Sequence, residues 1–163
     1  MDASTIALIQ KSFADVKASA ADVAETFYAE LFAIDPSCQL MFGNDMQMQR
    51  RKLLSALNYM VYALHGAEKV PGSVEKLAAA HLQHGVTLDH YTTFGIALLR
   101  TLKKVLGSKF TPELCDAWAV WFQMVVRAMK EAAYVNAPAK AMELAWWRSL
   151  LVDDASSLAV TSD

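Results

Sequence analysis

Apolar positions recur at spacings of three and four along most of the chain, and that recurrence predicts helices. Ile6, Ile9, Phe13 and Val16 form one stripe behind a cap at Asp2 to Ser4. Val23, Phe27 and Leu31 form a second, opened by Ala21 or Asp22, with Tyr28 and Phe32 on the adjoining face. It stops at Asp35-Pro36, because the residue before a proline avoids helical backbone. A short turn-like piece from Pro36 to Met41 leads into the loop signal Phe42-Gly43-Asn44-Asp45. A long helix is expected from Met46 to Leu64, with Gln49, Leu53, Leu57 and Met60 inward. Val74 to His84 reads as a short helix carrying Leu77, His81 and His84 on one side, and Gly85 is a left-handed stop. Thr87 or Asp89 caps the next, which presents Tyr91, Phe94, Leu98 and Leu102 and ends at Gly107. Thr111-Pro112 opens a helix through Trp118, Phe122, Val125 and Met129 to about Val135. Asn136-Ala137-Pro138 breaks the pattern; Ala139 to Val152 is expected to form a final helix before a polar tail. No stretch alternates with period two and no heptad persists, so the class is all-α with helices crossing as packed layers.

Composition narrows the function rather than the fold. A chain of 163 residues fits one domain, and 55% apolar with 20% charged residues excludes a disordered chain. Fifteen basic against 17 acidic residues leave no excess for a nucleic-acid face, so no nucleic-acid partner is expected. Cys38 and Cys115 stand outside any CxxC, which removes zinc-knuckle and dithiol motifs and suits a reducing, cytoplasmic setting. The N-terminus lacks a signal-peptide pattern, and the apolar run Ala117 to Val126 is far short of the ~20 residues that span a bilayer. No membrane association is expected.

The candidate chemistry centres on His81, which sits mid-helix among Leu77, Ala78, Ala79 and Ala80. Small neighbours let a flat ligand approach an imidazole, and an imidazole can hold iron axially. Tyr28, Gln49, Leu53 and Phe42 lie on stripes that could face it, and a phenol and an amide can donate hydrogen bonds to a small polar ligand. Two other readings stand beside this one. His81 can be an ordinary partnered histidine, or share a metal ion with His84 at a spacing of three. No GxSxG, GxGxxG or P-loop is present.

The landmarks, in order, resemble the globin family. FYAELF at 27–32 resembles a segment of the second helix of bacterial globins. Pro36 followed by MF at 41–42 is similar to the short third helix and the phenylalanine of the corner after it. QRRKLL at 49–54 resembles the start of helix E, and VEKLAAAHLQHGV at 74–86 the segment whose histidine binds haem iron. The stretch 90–112 is similar to helix G and its following corner, and DAW at 116–118 to the start of helix H. The likeness covers about residues 3–133 and is strongest to globin domains of flavohaemoglobins, bacterial single-domain haemoglobins and neuroglobin-like globins.

The resemblance implies a globin fold, a three-on-three helical sandwich with a short or absent helix D, over 1–135, followed by a helical extension at 136–163. It implies haem b as cofactor, with His81 as the iron ligand and Phe42, Leu53, Leu77, Val86, Tyr91 and Phe94 against the haem. Tyr28, Gln49 and Leu53 fall on the gas-binding side, and Tyr91 falls at the tyrosine that bonds the iron-binding histidine in flavohaemoglobins. Two departures are visible. Ala133 stands where flavohaemoglobins carry a glutamate, with Glu131 two residues away. The region between Phe42 and Gln49 is short, so a slip there would put Met46 or Met48 in place of Gln49. The implied activity is reversible binding of dioxygen, carbon monoxide or nitric oxide at a five-coordinate haem. No flavin or nicotinamide domain follows, so nitric-oxide detoxification or weak peroxidase activity would need a separate reductase. The alternatives are a haem-free regulatory protein and a gas sensor acting through a partner. For Met142, Leu144, Trp146, Trp147, Leu150 and Leu151, packing back on the body and a homodimer contact are both open readings.

Overall fold

The computed structural model describes residues 1–43, 45–65 and 73–136. They form six α-helices: α1 (Ala3–Ala18), α2 (Ala20–Ile34), α3 (Met46–Tyr62), α4 (Ser73–Gln83), α5 (Leu88–Leu106) and α6 (Pro112–Asn136). Short 3₁₀ turns at Pro36–Met41, Ala63–His65 and Gly107–Lys109 join or extend them. No strand occurs among the described residues. The expected final helix at 139–152 and the extension at 136–163 lie, past Asn136, outside them.

Local chemistry sets the boundaries. The Asp2 carboxylate accepts the Thr5 N–H at 2.8 Å and opens α1. Asp45 does the same for α3 through Met48 N–H at 2.8 Å. Pro36 and the Asp35 carboxylate, which accepts Ser37 N–H at 2.9 Å, start the tight turn that ends α2. The long third helix stops being α-helical at Tyr62, and its expected last residues wind on as 3₁₀. Gly85 takes φ +70° directly after α4, as a left-handed stop requires. There Val86 N–H bonds back to the His81 carbonyl at 3.0 Å, which fixes the backbone of that histidine.

The helices pack in crossing layers. α2 lies against α5 and α3, α4 against α6, and α1 bridges α5 and α6. Phe27, Leu98, Leu102, Trp118 and Trp121 are buried between them. Two polar devices pin the layers. The Trp118 Nε1–H donates to Ser12 Oγ at 3.0 Å, and that hydroxyl donates to the Ile9 carbonyl at 2.8 Å, so a buried indole is satisfied from α1. Glu30, almost wholly buried on α2, receives Lys104 and, at 3.7 Å, Arg100 from α5. Both cations keep most of their exposure, so solvent weakens this clamp and its share of the stability is modest. Gly95 of α5 has no side chain because Phe122 of α6 sits where one would go: a Cβ there would lie 2.7 Å from the ring. The absence of that carbon lets Phe94 and Phe122 stack, centroids 6.0 Å apart and 7° from parallel.

Candidate functional site

The helices enclose one large apolar cavity of about 330 Å³. It lies between the α2–α3 pair and the α4–α6 pair. The wall includes all nine residues singled out from the sequence: Tyr28, Phe42, Gln49, Leu53, Leu77, His81, Val86, Tyr91 and Phe94. They come from α2, the corner after it, α3, α4, the turn after α4, and α5. Gln49 lines the cavity, whereas Met46 packs against the core and Met48 is exposed.

His81 is held in a defined tautomer. Its Nδ1 lies 2.7 Å from the Leu77 carbonyl. A carbonyl only accepts, so Nδ1 carries the hydrogen and Nε2 keeps a bare lone pair. Burial holds the His81 pKa below the usual histidine value, which favours the neutral, ligating form. This is the arrangement of a metal-binding imidazole, with the second nitrogen tied to the backbone.

Tyr91 does not supply that tie. Its ring lies parallel to the His81 ring, 8° from coplanar orientation, with centroids 5.9 Å apart. The Leu77 carbonyl, one helical turn back, reaches Nδ1 first. Glu131 is also engaged elsewhere, paired with Arg127 at 2.9 Å on an exposed face of α6. The tyrosine–glutamate set of flavohaemoglobins therefore has no counterpart among the described residues.

Across the cavity, Tyr28 is 5% exposed and boxed by aromatic rings. Phe27 and Phe42 meet it edge-on at 5.3 and 5.2 Å, and Phe32 tilts against it at 5.8 Å. Its hydroxyl donates to the Gln49 main-chain carbonyl at 3.2 Å. Burial raises its pKa to about 12, with Arg50 opposing weakly, so the phenol keeps its proton.

The remaining wall is largely apolar, with Leu57, Met60, Trp121, Phe122, Val125 and Met129 completing it. Trp121 was not legible as a wall residue, since helical spacing assigns it no more than a place near Trp118 and Phe122. Cys38, His84 and His90 also line the cavity. Burial and the Asp35 carboxylate push the Cys38 thiol up. His81 and His84 share the wall, yet the described side chains that cluster as three metal-type ligands are Asp35, Cys38 and His90. An apolar slot, one imidazole with a bare Nε2, and a phenol and an amide on another wall make a donor set that fits haem. No helix among the described residues is long and apolar enough to cross a membrane.

Comparison with known proteins agrees with this geometry. The family model described as Globin matches residues 25–129. The chain is 30% identical over 139 residues to the anaerobic nitrite reductase HBII of Casuarina glauca, covering 76% of this chain and 87% of that protein. It is 31% identical over 116 residues to a flavohemoprotein of Deinococcus radiodurans, covering 69% of this chain but only 29% of that protein.

Proposed function

This chain belongs to the globin family, whose members bind haem and gaseous ligands, and on that premise we propose a five-coordinate haem b protein with His81 on the iron and Tyr28 and Gln49 facing the gas. The observation that carries the reading is the meeting of His81, Tyr28 and Gln49 in one apolar cavity. A haem-free role gives those three polar residues no common purpose there.

Haem, when bound, would supply an iron able to take dioxygen, carbon monoxide or nitric oxide. The chain's residues do the rest. Leu77 holds the His81 ring by its Nδ1–H and so presents Nε2 unprotonated. Phe42, Leu53, Leu77, Val86, Tyr91 and Phe94 give the slot a largely apolar wall. Low local polarity then strengthens whatever the Tyr28 hydroxyl and Gln49 amide donate to, by about 1–3 kcal/mol for a ligand that gathers negative charge. Dioxygen gathers more than carbon monoxide, so the two donors favour dioxygen and slow its release. The globin unit is taken as 1–135. Two free thiols, Cys38 and Cys115, suit a cytoplasmic setting.

A second reading is chemistry on nitrogen oxides with a separate reductase recycling the iron. It draws support from the names of the two relatives, one a nitrite reductase and one a flavohemoprotein.

The test uses haem-loaded ferrous protein mixed with each gas. Gln49→Leu is expected to release dioxygen about tenfold faster, with carbon monoxide release changing little, since each 1.4 kcal/mol is tenfold. Equal changes for both gases contradict the donor role.

A further inference from the structure

At the cavity wall, where the turn after α2 meets the start of α5, three side chains of metal-ligand type converge, two of them, Cys38 and His90, lining the cavity itself. We propose that Asp35, Cys38 and His90 form a binding site for a divalent cation of the zinc class, separate from His81. The assignment does not depend on the haem reading.

Each residue offers one ligand atom, and all three atoms lie within 4.8 Å of one another. The sequence gives no hint of this, because the residues come from the turn after α2 and the first turn of α5 and form no motif. Cys38 is 3% exposed, while Asp35 and His90 are half-buried, so the site has a buried thiol floor and an opening toward solvent. One outer ligand is already oriented, and the other must change tautomer. Asp35 Oδ1 is taken by the Ser37 N–H at 2.9 Å and its hydroxyl at 2.6 Å, which leaves Oδ2 to ligate. His90 Nδ1 receives the Thr87 N–H at 3.0 Å and lies 3.2 Å from the Thr87 hydroxyl, so the ring proton sits on Nε2 and this nitrogen ligates only after that proton moves. Asp35, locked by its own hydrogen bonds, is a preorganised ligand of the kind a metal site needs.

The donor types choose the ion. One sulfur, one nitrogen and one oxygen suit zinc or a similar borderline cation. Calcium and magnesium want shells of oxygen and are not served by this set. A thiolate and a carboxylate together offset a double positive charge, and three protein ligands leave a fourth position for water. Binding requires two proton movements. The Cys38 thiol proton leaves to solvent. The His90 ring proton moves from Nε2 to Nδ1, where it donates to the Thr87 hydroxyl, and the Thr87 N–H gives up its bond to that nitrogen.

The test is calorimetric titration of the full chain, as purified, with zinc chloride. One zinc ion per chain is expected. Cys38→Ser and Asp35→Asn should each weaken it at least tenfold, and Cys115→Ser should leave it unchanged. Asp35→Asn keeps the shape of the side chain, and circular dichroism confirms that each variant retains its helices. Long-range nitrogen spectra should show His90 carrying its proton on Nε2 without zinc and on Nδ1 with it. Absence of zinc binding in the wild type, or an affinity in Cys38→Ser and Asp35→Asn equal to that of the wild type, overturns the site, as does an unmoved His90 proton at saturation.

Discussion

The Tyr28 hydroxyl spends its proton on the main-chain carbonyl of Gln49, 3.2 Å away. The two residues expected to act together on a ligand are thus already bonded to each other, side chain to backbone. A polar ligand must compete for that proton, whereas the Gln49 side-chain amide makes no such bond among the described residues. Tyr28→Phe should therefore speed dioxygen release by roughly five- to thirtyfold, the loss of about 1–2 kcal/mol. Flash photolysis or displacement kinetics on the haem-loaded protein reads this directly. An unchanged rate removes Tyr28 from the gas side.

The raised phenol sets a pH dependence with a defined sign. Tyr28 ionises near 10 in the unfolded chain and at about 12 when folded, because burial opposes the phenolate. The neutral form is the one that folding favours. Its contribution is thus fully present below pH 10 and is lost as pH rises toward 12. Tyr91 shifts in the same direction through burial. Denaturant titrations at a series of pH values should show stability falling over that window, with a shallower fall in Tyr28→Phe. Between pH 6 and 9 no change from Tyr28 is expected.

The indole of Trp118 depends on one hydroxyl in another helix. Ser12→Ala leaves its Nε1–H without the 3.0 Å partner inside the core. An orphaned buried donor costs about 1–3 kcal/mol. For a chain of this size that lowers the melting temperature by roughly 2–4 °C per kcal/mol, which calorimetry resolves. A melting temperature equal to wild type would show that the indole finds another acceptor.

Gly95 gives a different kind of test, because its neighbour Phe122 is also a wall of the cavity. Gly95→Ala forces the Phe122 ring aside, and the open direction is inward. The expected result is a small loss of stability, about 1–3 kcal/mol for an overpacked contact, together with weaker haem retention. Haem transfer to an apoprotein acceptor measures the second effect. Loss of stability with normal retention would mean that the ring moves outward instead.

Sequence and structure agree where local chemistry decides. Periodicity placed the α1, α2, α5 and α6 stripes, and Pro36, Gly85 and Pro112 marked the end of α2, the end of α4 and the start of α6 as steric rules require. The set of residues around the cavity came from the resemblance to globins, since spacing alone left His81 open as an ordinary partnered histidine or as a metal ligand with His84. What periodicity cannot carry is a contact between distant segments. Nothing in the order of residues tells that Leu77, rather than Tyr91, takes the His81 Nδ1–H. Nor does it tell that Tyr28 finds the Gln49 backbone, or that Cys38 meets His90. Each depends on how two helices cross, and side chains of the same type would satisfy the pattern in several geometries.

The central claim is that His81 holds iron through Nε2, and the absorption spectrum of the purified protein tests it most directly. The wild type should show a strong Soret band and, when reduced, a five-coordinate ferrous spectrum. His81→Gly should lose that spectrum, and added imidazole, which fits the vacated space, should restore it. A variant that keeps the wild-type spectrum without imidazole, or a wild-type protein that stays colourless when supplied with haem, contradicts the account.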